Sequence, residues 1–153
     1  MVNKKEFYQE LSSQIASLIQ DETDLIANMA NISALLYNRL PDVNWVGFYR
    51  VIDNGLVLGP FQGQVACIRI PFGKGVCGTS AQEGMTQRIA NVHEFEGHIA
   101  CDATSNAEIV IPVKLNGATI AVLDIDSTRF DRFDSEDQVA LENIVEHLVK
   151  SLV

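Results

Sequence analysis

Three cysteines, Cys67, Cys77 and Cys101, and three acids, Glu108, Asp124 and Asp126, are the side chains of this 153-residue chain whose types and placement can support chemistry. The cysteines lie ten and twenty-four residues apart. That spacing matches neither the C-x-x-C pairs of zinc ribbons nor that of thioredoxin-like redox centres. Cys67 falls in an apolar strand-like run, VACIRIPF, where a free cysteine reads as a small buried hydrophobe. Cys77 stands in the glycine-rich turn GKGVCGTS leading into a helix, a place where a thiol pKa can be lowered. Cys101 is preceded by His98 and followed by Asp102 in a long polar stretch. Position alone leaves it open between a reactive and an inert thiol, and gives the other two a weaker claim. On a strand, positions 124 and 126 point to one face, so AVLDIDS presents two carboxylates side by side. Such acids are ordinarily solvated. The alternative is a grip for a ligand ammonium, with crowding that turns one carboxyl into a proton donor. Trp45, the single tryptophan, is either core or the floor of a pocket for a small apolar or thioether group.

Two other patterns carry less. His93, His98 and Cys101 supply three metal-type donors within nine residues, but no fourth ligand is set by spacing, and no metal or other cofactor is assigned. Gly73-x-Gly75-x-x-Gly78 meets the bare spacing of a dinucleotide loop. The strands before it form a meander and no ribose-binding acid follows on a parallel strand, so the context is wrong. His147 lies on the last helix and reads as a surface or partly buried position.

Composition bounds the rest. Eleven basic against twenty acidic residues give a formal charge of −9, a field that repels nucleic-acid backbones and anionic lipid. Neither nucleic acid nor membrane is an expected partner. No apolar run is long enough to span a bilayer, and the amino terminus breaks its apolar content with Glu6, Gln9, Glu10 and Gln14. The expected location is the cytoplasm, where a disulfide is more often transient and catalytic than structural.

The elements that must position these residues follow from periodicity. Phe7, Leu11, Ile15 and Ile19 recur every four residues. Asp21 opens a second helix that Pro41 stops. WVGFYRVI, GLVLGPF and VACIRIPF predict three antiparallel strands, with Asp53-Asn54-Gly55 as the first turn. A short helix over 73–82, a strand at 87–92 and a polar loop over 93–108 come next. A hairpin about Asn116-Gly117 and a helix capped by Asp134 complete the chain. This order has too few strand-helix-strand crossovers for a parallel sheet. It predicts one α+β domain over 1–153: an antiparallel sheet of about six strands, with the terminal helices on one face. A sixteen-residue segment without regular structure in a domain this small reads as a lid or binding loop.

Taken together, NWVGFYRV, LGPFQGQVACIRIPFGKGVCGTSA, IANVHEFEGHIACDATSNAEIVIPV and AVLDIDSTRFDRFDSED closely resemble the free methionine-(R)-sulfoxide reductases, stand-alone enzymes with a GAF fold. The resemblance runs from about residue 20 to the end and includes all three cysteine positions. It implies reduction of free methionine (R)-sulfoxide, an oxidative-stress activity, with a thioredoxin-like reductant as partner. It also implies that Cys101 is the nucleophile that becomes a sulfenic acid, that Cys67 forms a disulfide with it, and that Cys77 is a less essential exchanging thiol. Glu108, Asp124 and Asp126 would line the substrate pocket, with Trp45 beside the methyl group. A homodimer through the helical face is compatible with that fold.

The chemistry agrees with the residue types. A thiolate attacking a sulfoxide sulfur must expel the oxygen, so a nearby acid, Asp126 or Glu108, should protonate or polarise the S–O group. The sulfenic acid then condenses with a second thiol, and an external dithiol restores the enzyme. The alternative from fold alone is a GAF module that senses a small molecule or redox state without turnover.

Overall fold

The computed structural model describes residues 3–98 and 104–153. Cys101, the expected nucleophile, lies outside the described residues. Two helices come first. In α1 (Lys4–Leu18), Asn3 caps the amino end by accepting from the Glu6 N–H. Asp21 does not open the second helix as expected. Its φ of 64° places it in the left-handed region that ends a helical segment. The cap is Asp24, whose Oδ1 accepts from Ala27 N at 2.8 Å, and α2 runs Leu25–Arg39.

The sheet is built from β1 (Trp45–Ile52), β2 (Gly55–Gly63), β3 (Arg69–Pro71), β4 (Gln87–Ile89), β5 (Ala107–Leu115) and β6 (Ala118–Ser127), in the order β3-β2-β1-β6-β5-β4. All five pairings are antiparallel. Both expected hairpins form. Asp53 and Asn54 take φ of 52° and 61°, and Asn116 and Gly117 take 53° and 83°, the positive values a two-residue hairpin turn requires. Helix α3 (Gly75–Glu83) and a 3₁₀ turn (Val92–Glu94) lie between β3 and β5, and α4 (Ser135–Ser151) ends the order of elements.

Alternation along the central strands divides the interior into two layers. Val46, Phe48, Ile109, Ile111, Leu123 and Ile125 pack under α1, α2 and α4. Trp45, Tyr49, Val110 and Val122 point the other way, where Val76, Cys77 and Ala81 of α3 cover them. The terminal helices therefore share one face as expected, and α3 occupies the opposite one. The start of α4 is tied to α1 by a buried acid. Asp137 closes a capping box with Asp134 and accepts from Tyr8 Oη at 2.5 Å and Lys4 Nζ at 2.8 Å, with Arg132 at 3.4 Å. A fully buried carboxylate is tolerated only with this many donors.

Two expected elements are corrected. The strand over VACIRIPF is confined to Arg69–Pro71, so Cys67 stands before the strand and not on it. Gly63, with φ of 126°, ends β2. The carbonyls that follow are taken by side chains: Trp45 Nε1 donates to Gln64 O at 3.0 Å and Tyr49 Oη to Cys67 O at 2.9 Å. The polar segment 93–108 is also shorter than expected, because β5 already begins at Ala107 and carries Glu108.

Candidate active site

The α3 side of the sheet holds a cleft of about 550 Å³, its open mouth included. Strands β1, β5 and β6 supply its floor. Register sets the floor's composition: Asp126 pairs with both Trp45 and Glu108, while Asp124 pairs with Gly47 and Val110. All three acids and the tryptophan therefore project from the same face. The sequence-expected residues Trp45, Cys77, Glu108, Asp124 and Asp126 all line this cleft. Tyr49, Lys74, His98 and Ser105 join them.

Trp45 sits in a stack. Its ring lies 5.3 Å from Phe61 at an interplanar angle of 14° and 6.0 Å from Tyr49 at 23°. Glycines leave room for it: a Cβ on Gly47 would lie 2.7 Å from Trp45 Cη2, and one on Gly63 2.7 Å from Trp45 Cδ1. Both are closer than packed carbon atoms come. By residue type alone, Trp45 could be core or pocket floor. It is both, being 3% exposed and still part of the cleft wall.

Glu108 and Asp124 are 7% and 6% exposed. Burial first, then the neighbouring Asp124 carboxylate, pushes Glu108 well above its ordinary range. Asp124 is pushed up in the same way by burial and by Asp126. The Glu108 and Asp124 carboxyls each feel the charge of a neighbouring acid, and Asp124 Oδ1 is buried without a hydrogen-bond partner among the described residues. One carboxyl of such a group holds a proton while the others retain acceptor capacity. The arrangement can thus donate a proton to a bound oxygen and accept from a bound ammonium.

Cys77 corrects an expectation. Its position in the first turn of α3 suggested a lowered thiol pKa, yet the thiol is pushed well above the ordinary value, by burial first and then by Asp124, Glu108 and Asp126. Complete desolvation beside three acids outweighs a helix terminus. Its Sγ donates toward Glu108 Oε2 at 3.8 Å. Cys67 is disulfide-bonded, and Cys77 is a free cysteine.

Cys77, Glu108 and Asp124 each offer one ligand atom within 4.8 Å of one another. A metal there would have to displace the protons that burial retains on these groups. His93 of the histidine set is engaged elsewhere, with Nε2 2.8 Å from Asn106 Oδ1. His147 bonds to Ser12 Oγ at 2.8 Å across α1 and α4.

Sequence reasoning missed Tyr49. The signal was present, since residues 45, 47 and 49 share one face of a strand. Burial and Asp124 raise its phenol above the ordinary value, so it remains a hydroxyl donor. Lys74, His98 and Ser105 come from irregular segments, where no periodicity marks an orientation.

The GAF domain family model matches residues 20–152. The free methionine-R-sulfoxide reductase of Escherichia coli is 54% identical over 151 residues, covering 99% of this chain and 92% of its own. The enzyme of the same name from Saccharomyces cerevisiae is 40% identical, covering 99% and 89%. The X-ray structure of free methionine-R-sulfoxide reductase from Neisseria meningitidis in complex with its substrate superposes with a TM-score of 0.95 at 42% identity, covering 99% of this chain and 92% of that one. The stacked tryptophan, the three clustered acids and these full-length similarities agree: the chain belongs to the GAF-domain family of free methionine-R-sulfoxide reductases.

Proposed function

We propose that this protein reduces free L-methionine (R)-sulfoxide to L-methionine in the Trp45–Asp126 cleft. The observation that carries the reading is the acid cluster: a buried, proton-holding Glu108 beside Asp124, whose Oδ1 has no hydrogen-bond partner among the described residues, under a stacked indole. The indole receives the S-methyl group, Asp124 and Asp126 take the ammonium, and Glu108 faces the sulfoxide oxygen. The Cys101 thiolate attacks the sulfoxide sulfur while Glu108 protonates the oxygen. Oxygen passes to Cys101 as a sulfenic acid and methionine leaves. The Cys67 thiol then attacks that sulfur, releasing water and forming the Cys67–Cys101 disulfide, which a thioredoxin-class dithiol reduces. Cys77, buried and protonated, is an auxiliary thiol.

A protein that needs an ammonium to satisfy its acids excludes peptide-bound methionine, whose nitrogen is an uncharged amide. Purified protein with dithiothreitol and racemic methionine sulfoxide should consume one epimer only, and should leave the N-acetylated sulfoxide untouched. Cys101→Ser should abolish turnover and Cys77→Ser should largely spare it. Full activity in Cys101→Ser would overturn the reading.

A further inference from the structure

Two exposed apolar side chains, Val65 and Ile68, flank in sequence the disulfide-bonded Cys67, which itself packs partly against the α3-side core. Val65 is 85% exposed and Ile68 67% exposed, while Cys67 between them is half-buried and disulfide-bonded. A single exposed aliphatic residue means little. Here the backbone is held at three carbonyls: Gln64 O by Trp45, Cys67 O by Tyr49, and Ile68 O by Leu58 N at 2.8 Å. The two β-branched side chains are thus kept in water by an ordered chain, on either side of a reducible bond. Arg69, next along, is exposed as well.

Resting on the proposed reductase cycle, we infer that Val65 and Ile68 form the docking surface for a protein dithiol of the thioredoxin class, and that Cys67 is the sulfur it attacks. The donor's first thiolate attacks Cys67 Sγ, and the intramolecular S–S bond breaks. Its electron pair leaves on the partner sulfur, which is freed as a thiolate. A mixed disulfide joins the donor to Cys67. The donor's second thiolate then attacks the donor sulfur of that bond, releasing Cys67 as a thiolate and leaving the donor oxidised by two electrons. Attack at this end returns the partner thiolate in one step, ready for the next sulfoxide.

The test uses Ile68, which lies outside the cleft wall. With thioredoxin as reductant, Ile68→Asp should raise KM for the reductant about tenfold or more, as loss of a central apolar contact does. The rate with dithiothreitol, which needs no docking surface, should stay within about twofold, and Ile68→Val should restore the thioredoxin KM. In a second arm, a thioredoxin whose second active-site cysteine is replaced by serine is mixed with the oxidised protein. Peptide mass spectrometry should find it on Cys67. Capture on another cysteine, or an unchanged thioredoxin KM in Ile68→Asp, would overturn the inference. The capture arm reads docking without turnover. Failure of the reductase reading appears separately, as no methionine formed with dithiothreitol.

Discussion

Glu108 and Asp126 occupy directly opposed positions on β5 and β6. Carboxylates opposite each other on one face repel when both are ionised, and Asp124, two residues from Asp126 on that face, adds a third charge. Desolvation makes full ionisation costlier still. The sheet resolves the conflict by retaining protons, and Glu108 and Asp124 are the side chains pushed above their ordinary range. A strand pairing that would be unfavourable on a surface becomes, in a cleft, a source of acid at neutral pH.

Glu108→Gln should therefore lower kcat by about 10²- to 10⁴-fold, the usual worth of a positioned proton donor. KM should change much less, because the amide keeps the shape. Steady-state kinetics with dithiothreitol checks this. A variant that loses affinity while keeping kcat would assign Glu108 to binding and not to proton transfer.

Stability should fall as pH rises. The folded-state pKa values of Glu108 and Asp124 lie above their ordinary values of 4.5 and 3.8. Above those values the unfolded chain has released protons that the folded chain still binds. The stability these groups contribute is thus full below the ordinary values and drains as pH climbs through the folded ones. The double variant Glu108→Gln/Asp124→Asn removes this titration. Its urea midpoint should fall less than the native one between about pH 5 and pH 8, and should exceed it at the alkaline end. A steeper decline in the variant would contradict the assignment.

Gly47→Ala probes the aromatic stack. Its methyl would press on Phe61 Cβ and on Trp45 Cη2, an overpacking that costs about 1–3 kcal/mol. Because the indole must shift, KM for the sulfoxide should rise along with the loss in thermal midpoint. Normal KM in a destabilised variant would show that the stack tolerates displacement.

At the other end of the molecule, Asp134→Ala should lower stability by about 1 kcal/mol through loss of the α4 cap. The backbone N–H of Asp137 and the ammonium of Lys4 hold the Asp134 pKa down, to about 2. Its contribution is complete above the ordinary 3.8 and is lost as pH falls through about 2. Acid denaturation curves of the variant should be flatter across that window, with activity at neutral pH unchanged.

Much of this architecture was readable from residue patterns. Asn116-Gly117 fixed a hairpin that brings Glu108 opposite Asp126, and period-two alternation put Asp124 and Asp126 on one face. Helix α4 followed from Asp134 and its apolar stripe. The failures have physical causes. Asp21 and Asp24 are both good caps by type, and only the left-handed backbone at Asp21 separates them. The β-branched residues around Cys67 predict a strand there, whereas Tyr49 and Trp45, distant in sequence, claim the carbonyls of Cys67 itself and of Gln64. Helix position suggested a lowered Cys77 thiol, since burial beside three acids on other strands has no local signature.

The alternation along β5 and β6 also guards the folding of the domain. Glu108, Asp124 and Asp126 are interleaved with Ile109, Leu123 and Ile125, which fill the layer beneath the helices. A slip of one residue in either strand would turn carboxylates into that apolar layer and leave the isoleucines and leucine on the cleft side. Misaligned chains are thus penalised by the same acids that serve the substrate, and the reactive face doubles as a proofreading device for strand alignment.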